Sequence, residues 1–218
     1  MLHYLISYSD TYAPLIALIV FVSLWKKIEG REKLLLYFLL INIILFGITN
    51  IMSVHYINNL FLYHAYALIE LWLIGYYMLV HLMGKKNVWL KVSIIYTILW
   101  IADIFTFEPL NTFPSFSGGL SNLILIIISM FYLLRLAKSD EILYFQKLPS
   151  FWYVSAFLIS CSFLILGYVM YNFYVVNKLP ELGNQITNIF YISTILKFTL
   201  IIIGLLCYRR PRTQLFLL

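Results

Sequence analysis

The chain of 218 residues is 63% hydrophobic and only 11% charged, with a net charge of +6 and a mean hydropathy of +0.92. A soluble domain is normally about half apolar and about a quarter charged. This composition therefore excludes a soluble enzyme and a disordered chain, and two cysteines exclude a disulfide scaffold. We expect a single integral membrane domain over residues 1–218, because each bilayer-spanning helix needs about 20 apolar residues.

Seven apolar runs in chain order predict seven membrane-spanning helices. Five of the six segments between them contain charged residues, Gly or Pro, as loops between helices commonly do. Runs such as 123–130 do not alternate between apolar and polar residues, as strands of a membrane barrel would. The predicted fold class is therefore an all-α integral membrane protein, a seven-transmembrane-helix bundle with spans at about 9–25, 34–54, 61–83, 88–107, 119–137, 151–174 and 186–208.

The basic residues indicate how this bundle is oriented. Seven alternating spans place 13 of the 15 Lys and Arg residues on one side, whereas the opposite side has only Lys178 and Lys197 lies within a span. Positive charge is retained in the cytoplasm. We therefore predict an external N-terminus and a cytoplasmic C-terminus, with these residues on the cytoplasmic side: Lys26, Lys27, Arg31, Lys33, Lys85, Lys86, Lys91, Arg135, Lys138, Lys147, Arg209, Arg210 and Arg212.

Ionisable residues within the spans are the strongest candidates for a functional site. A charge at this depth is costly unless it is paired or solvated. Glu70 in the third span and Lys197 in the seventh both lie roughly 15–18 Å from the outer ends of their helices. Their equal depth and opposite charge predict an ion pair or a shared binding site. The alternative interpretation is that the pair only fixes helix packing.

Polar side chains are concentrated in the predicted outer half of the bundle. Tyr66 lies one turn before Glu70 on the same face, and His64 and Asp103 lie nearby in depth. The predicted inner half has no carboxylate outside the loops. This distribution predicts an outward-facing pocket formed by Glu70, Lys197, Tyr66, His64 and Asp103, and it favours ligand binding over transport, which requires polar groups along the whole path.

The chain resembles two groups of membrane proteins. The segments Asn59–Glu70 and Asn188–Lys197, with Phe151-Trp152, resemble a family of small bacterial seven-helix membrane proteins; this implies that Glu70 and Lys197 are family features and implies no substrate. A carboxylate in the third helix and a Lys in the seventh also resemble microbial rhodopsins. That similarity is superficial, because Ser193 stands where the rhodopsins have Asp, and their third-helix Arg and sixth-helix Trp-x-x-Tyr-Pro pattern are missing.

These patterns predict a sensor or receptor-like protein that binds a small or lipidic ligand in the cytoplasmic membrane and acts through a membrane or cytoplasmic protein partner. Membrane lipids are the other expected partner, and nucleic acid is not expected. The alternatives are a small transporter, an intramembrane lipid-modifying enzyme with Glu70 as base, and a structural subunit of a membrane complex. No catalytic motif or metal-ligand spacing is present, so no cofactor is expected, and retinal and haem are disfavoured.

Overall fold

The part of the protein that its computed structural model describes comprises residues 8–28, 30–138, 145–177 and 180–209, and it consists of helices joined by short loops. Single 3-10 turns precede α2 and α6 and follow α7. The main helices are α1 (Ser9–Ser23), α2 (Leu34–Val54), α3 (Leu60–Tyr76, continued by a π-helical segment at Tyr77–Leu82), α4 (Lys86–Thr106), α5 (Ser115–Ala137), α6 (Pro149–Asn177) and α7 (Pro180–Leu206).

Six of these helices, α2 to α7, are long and apolar enough to cross a membrane. The chain is therefore a multi-pass membrane protein, as its composition predicts. The remaining helix, α1, has 15 residues and contains Pro14. At 1.5 Å per residue it is about 22 Å long, which is shorter than the roughly 30 Å hydrocarbon core of a bilayer. Seven crossings and the orientation of the bundle therefore stay predictions.

Two helices begin four or more residues earlier than their apolar runs indicate. The apolar run predicts a fifth span from residue 119, but α5 begins at Ser115. The Glu108 carboxylate accepts a hydrogen bond from the Phe116 amide at 2.8 Å and so satisfies one of the free N–H groups of the first turn. The seventh span was expected from residue 186, but α7 begins at Pro180. Proline is favoured at the first helical position, where no N–H is needed.

The helices form a ring with one helix outside it. Around the ring, α1 packs on α2, α2 on α3, α3 on α5, α5 on α6, α6 on α7, and α7 on α1. Helix α4 lies outside, against α3 and α5, and it is the least buried of the six long helices. As a result, α3 and α7 face each other across the interior without being neighbours in the ring.

The segments that carry the positive charge meet at one end of the ring, which we call the basic end. Tyr77 of α3 contacts Glu32 of the first loop, and Arg135 of α5 donates a hydrogen bond to the Met83 carbonyl at 3.2 Å. Near α7, Cys207 contacts the carbonyl of Gln146. We call the opposite end, which contains the loop between α2 and α3, the cavity end, because a cavity opens there. Of the residues in the charge count, Lys178, Arg210 and Arg212 lie outside the described residues.

Candidate functional site

Glu70, Lys197 and Tyr66 form a closed triad in the centre of the ring. The Lys197 ammonium donates hydrogen bonds to Glu70 Oε1 and to the Tyr66 hydroxyl, each at 2.9 Å. Tyr66 in turn donates to the same Glu70 oxygen at 2.7 Å. All three residues are at most 6% exposed. The ion pair that their equal depth suggests is therefore present, and one Glu70 oxygen accepts both hydrogen bonds.

Aromatic rings enclose the ammonium group of Lys197. Its Nζ lies 5.5–5.9 Å from the ring centres of Phe38, Phe157 and Phe198, and 5.6 Å from that of Tyr66. Ring faces attract cations, and this attraction grows when water is excluded. Helices α2, α3, α6 and α7 each contribute one of these rings, so the charge lies where four helices converge.

Ser193, one turn before Lys197, binds a neighbouring helix instead of the ammonium group. Its hydroxyl donates to the Ser160 carbonyl of α6 at 3.0 Å, and the residue is fully buried. The position at which microbial rhodopsins have a second carboxylate is therefore used here to join α7 to α6. Glu70 is the carboxylate that the described residues place in contact with Lys197.

A cavity of about 620 Å³ extends from the cavity end of the ring to this triad. On α3 its lining residues lie between Leu60 and Tyr66, and on α7 they lie between Gly183 and Phe198. Lys197 and Tyr66 line its deep part, whereas Glu70 is not among the lining residues. The walls are mainly amide, hydroxyl and aromatic side chains, including Asn42, Thr49, Asn50, Tyr63, Phe113, Tyr168, Tyr171, Asn184, Thr187, Phe190, Tyr191 and Thr194.

Tightly packed apolar side chains lie on the basic side of the triad. Leu71 and Ile74 follow Glu70 on α3, and Ile201 and Leu205 follow Lys197 on α7; all four are at most 2% exposed. They belong to the main hydrophobic core of the ring. The cavity therefore has a polar wall, a charged end and an apolar layer beneath it.

Asn42 of α2 presents an unused acceptor to the cavity. Its amide nitrogen donates to the Phe38 carbonyl at 2.8 Å, and because a carbonyl can only accept, this contact distinguishes the nitrogen of the amide from its oxygen. Within the described part of the chain this oxygen has no hydrogen-bond partner, although the residue is only 1% exposed. A buried unpaired acceptor costs about 1–3 kcal/mol, so a hydrogen bond from a bound molecule or a water would stabilise this position.

The structure places His64 and Asp103 apart from the triad. Both are buried, but neither is among the residues that line the cavity. A ring nitrogen of His64 lies 3.1 Å from the Thr112 carbonyl, and the His64 carbonyl accepts a hydrogen bond from Trp100 of α4. Neither carboxylate oxygen of Asp103 has a hydrogen-bond partner among the described residues. These two residues belong to the contact of α3 with α4 and the loop that follows.

Glu32 is a buried carboxylate that no pattern in the sequence identifies as a site residue. It lies in the charged first loop, yet it is only 1% exposed, and it accepts a hydrogen bond of 2.5 Å from Tyr77. Its other oxygen lies 3.6 Å from Arg31 Nε. The basic half of the bundle thus contains a buried carboxylate, which comes from a loop; the sequence predicts no carboxylate there outside the loops, and Glu32 does not contradict that prediction. The sequence offers one indication of a polar contact at this level: Tyr77 lies seven residues after Glu70 and therefore on the same face of the helix.

The π-helical segment at Tyr77–Leu82 changes the face that α3 presents to the interior. Regular α-helical spacing predicts His81 on the same face as Glu70 and Tyr77. His81 is instead exposed and packs edge-on against Tyr76. A π-helical turn adds a residue to each hydrogen-bonded ring, so the register of the helix shifts after Tyr77: Met78 and Leu79 are buried, whereas His81 is not. Short π segments occur frequently at functional sites.

Comparisons with protein-family models, with curated proteins and with solved structures find no match to this chain. The resemblance to small bacterial seven-helix proteins stays a prediction. Among the described residues, no three His, Cys, Asp or Glu side chains lie together so that they could hold a metal ion.

Proposed function

We propose that this protein is a sensor or receptor-like protein of the cytoplasmic membrane, with its N-terminus outside, that binds a small or lipidic ligand in the cavity. The observation that supports this proposal is the cavity of about 620 Å³ that ends at Lys197 and Tyr66 above a packed apolar layer. Pockets of about 300–1,000 Å³ with a few convergent polar groups are typical of small-molecule sites.

The deep end of the cavity favours a ligand whose polar group both donates and accepts hydrogen bonds. Lys197 can make three hydrogen bonds, and two of its donors are used within the triad. Asn42 supplies the unpaired acceptor. Because Glu70 already balances the charge of Lys197, a neutral polar group fits this end better than an anion or a cation. The Phe and Tyr rings of the walls provide contact area for its apolar part.

Access to single cysteines distinguishes a closed pocket from a path through the membrane. Thr194→Cys lies on the cavity wall, and Ile201→Cys lies in the apolar layer beneath. Both are made in a variant in which Cys161 and Cys207 are replaced by Ser. A small water-soluble methanethiosulfonate applied from the cavity end should modify Thr194→Cys and spare Ile201→Cys. Modification of both would contradict the receptor proposal and support a transporter.

A bound ligand should be recoverable from the purified protein. Mass spectrometry of small molecules released on denaturation should find a compound in the wild type that is depleted in Thr194→Trp, because the indole would occupy the deep cavity. Ile192→Trp on the exposed face of the same helix is the matched control and should retain the compound. Equal recovery from the wild type and both variants would show that the compound binds elsewhere.

One observation supports a transporter as the second candidate. The Glu32–Tyr77 contact provides polar groups on the basic side of the apolar layer, in line with Glu70 along α3. A lipid-modifying enzyme with Glu70 as base is less well supported, because Glu70 does not line the cavity and is engaged by Tyr66 and Lys197. A structural subunit would not require the cavity.

A further inference from the structure

A second concave surface lies on the outside of the ring, between α4 and α5, and we call it the α4–α5 groove. Its volume is about 740 Å³. The walls are apolar, with Val92, Ile95 and Leu99 on α4 and Ile124, Ile127 and Phe131 on α5. Ile95, Ile127 and Phe131 are 44–64% exposed. Because this surface belongs to membrane-spanning helices, its surroundings are lipid.

The charged residues of this groove are both basic and both at the same end. Lys85 begins the turn into α4 and Arg135 lies in the last turn of α5, at the basic end of the bundle. No Asp or Glu is among the lining residues. An apolar surface that ends in two positive charges is complementary to an amphiphile with an anionic head group. Basic pockets between membrane helices bind anionic lipid head groups in this way.

Arg135 is held in position at the head of the groove. One guanidinium nitrogen donates to the Met83 carbonyl at 3.2 Å. A guanidinium has five N–H donors in a planar fork, so donors remain for phosphate oxygens. Lys85 adds a second cation. It follows Gly84, which has a φ of +69° and lies in the turn between the π segment and α4.

The length of the groove fits a lipid chain. Lining residues on α5 extend from Arg135 back to Leu120, which corresponds to about 22 Å along the helix. One leaflet of the hydrocarbon core is about 15 Å thick, so a whole acyl chain can lie along the groove. We propose that the α4–α5 groove binds an anionic phospholipid, with one acyl chain along α4 and α5 and the phosphate at Lys85 and Arg135. This site is separate from the cavity and does not depend on its function.

Native mass spectrometry with defined lipids tests this proposal. Full-length protein in detergent is supplied with palmitoyl-oleoyl phosphatidylglycerol or with phosphatidylcholine of the same chains. We expect the anionic lipid to be retained about tenfold more, because each nearby basic residue contributes to the attraction of anionic lipid. The double variant Lys85→Gln, Arg135→Gln should lose this preference. Equal retention of both lipids by the wild type would overturn the proposal.

Two control variants separate this site from general surface charge and general exposure. Lys26→Gln, Lys27→Gln removes the same charge at the same end but outside the groove, and it should keep the preference. Ile127→Trp fills the groove without changing charge and should reduce retention, whereas Ile98→Trp on an exposed position of α4 outside the groove should not. An equal loss of anionic-lipid retention in a variant and its control would overturn the site. The proposal would also be overturned if the wild type were a dimer and Ile127→Trp dissociated it, because a second copy of the chain would then occupy the groove.

Discussion

At the scale of single residues, the Glu70–Lys197 pair places two charged groups in the buried interior, where each is stable only beside the other. Both partners are nearly inaccessible, and each supplies the charge that the other needs at this depth. Removal of one partner from a buried pair costs about 3–5 kcal/mol, because the other is left uncompensated, while replacement of both by apolar or neutral groups costs much less. The pair is therefore a coupled unit.

We expect Glu70→Gln and Lys197→Met each to lower the free energy of unfolding by about 3–5 kcal/mol, and the double variant to recover part of this loss. Thermal unfolding in detergent gives the comparison. Lys197→Met combined with Glu32→Gln is the matched control, since Glu32 is buried but contacts Tyr77 instead, and these two losses should add. Additive losses for Glu70 and Lys197 would show that they are not coupled.

The Glu32–Tyr77 hydrogen bond should also contribute to stability. Tyr77→Phe removes the donor to a buried carboxylate and should cost about 1–3 kcal/mol. Tyr76→Phe, in the preceding position where the ring packs against Trp89, should change stability by less than about 0.5 kcal/mol. Urea or thermal unfolding of the two variants measures the difference. Equal effects would mean that the hydroxyl of Tyr77 contributes nothing specific.

At the scale of the helices, close approach depends on small residues. In lipid, helix association relies on packing, so small residues occur where helices come close. Gly118 of α5 is such a position, because a Cβ there would overlap the ring of Tyr168 of α6. Tyr168 also lines the cavity. The α5–α6 contact therefore helps to determine the shape of the cavity wall.

Gly118→Ala should lower the free energy of unfolding by about 1–3 kcal/mol, because the added methyl group must displace Tyr168. Gly47→Ala in α2 has open space around its Cβ and should raise stability by about 0.5–1 kcal/mol through its helix propensity. Thermal unfolding of both variants tests the prediction. A stabilising effect of Gly118→Ala would show that the two helices can separate without cost.

The helices were largely predictable from the sequence, whereas their arrangement was not. The run at 34–54 predicts the bounds of α2, and the run at 61–83 differs by one residue at each end from α3 with its π segment. Apolar content determines these helices locally. The apolar run does not predict the start of α5 at Ser115, because Glu108 stabilises the first turn from outside the helix.

The candidate site shows the same division between local and tertiary information. The Glu70–Lys197 contact could be inferred because depth along a spanning helix follows from counting residues. The separate position of His64 and Asp103 could not, because it depends on α4 lying outside the ring. The burial of Glu32 also depends on how the first loop folds against Tyr77.

At the scale of the whole molecule, the orientation can be tested with one pair of cysteines. The loop between α4 and α5 is predicted to be external. Ser115 and Ser117 at its end are buried, so the exposed Asn111 is a better position for a cysteine that a reagent must reach. In protein lacking Cys161 and Cys207, a membrane-impermeant maleimide applied to intact cells should label Asn111→Cys and not Lys85→Cys. Labelling of Lys85→Cys alone would reverse the predicted topology.

The closed ring has a consequence for the order in which the protein is made. Helix α1 is synthesised before the other six helices, yet it packs on α7, which is synthesised after them. The Glu70–Lys197 contact likewise joins positions 127 residues apart. Contacts between distant segments form slowly, because loop closure precedes their stabilising effect. In a pulse-chase experiment, protease resistance should therefore appear only after synthesis of the whole chain, and later than membrane insertion. Until α7 arrives, the buried face of α1 is open to lipid or to an insertion chaperone.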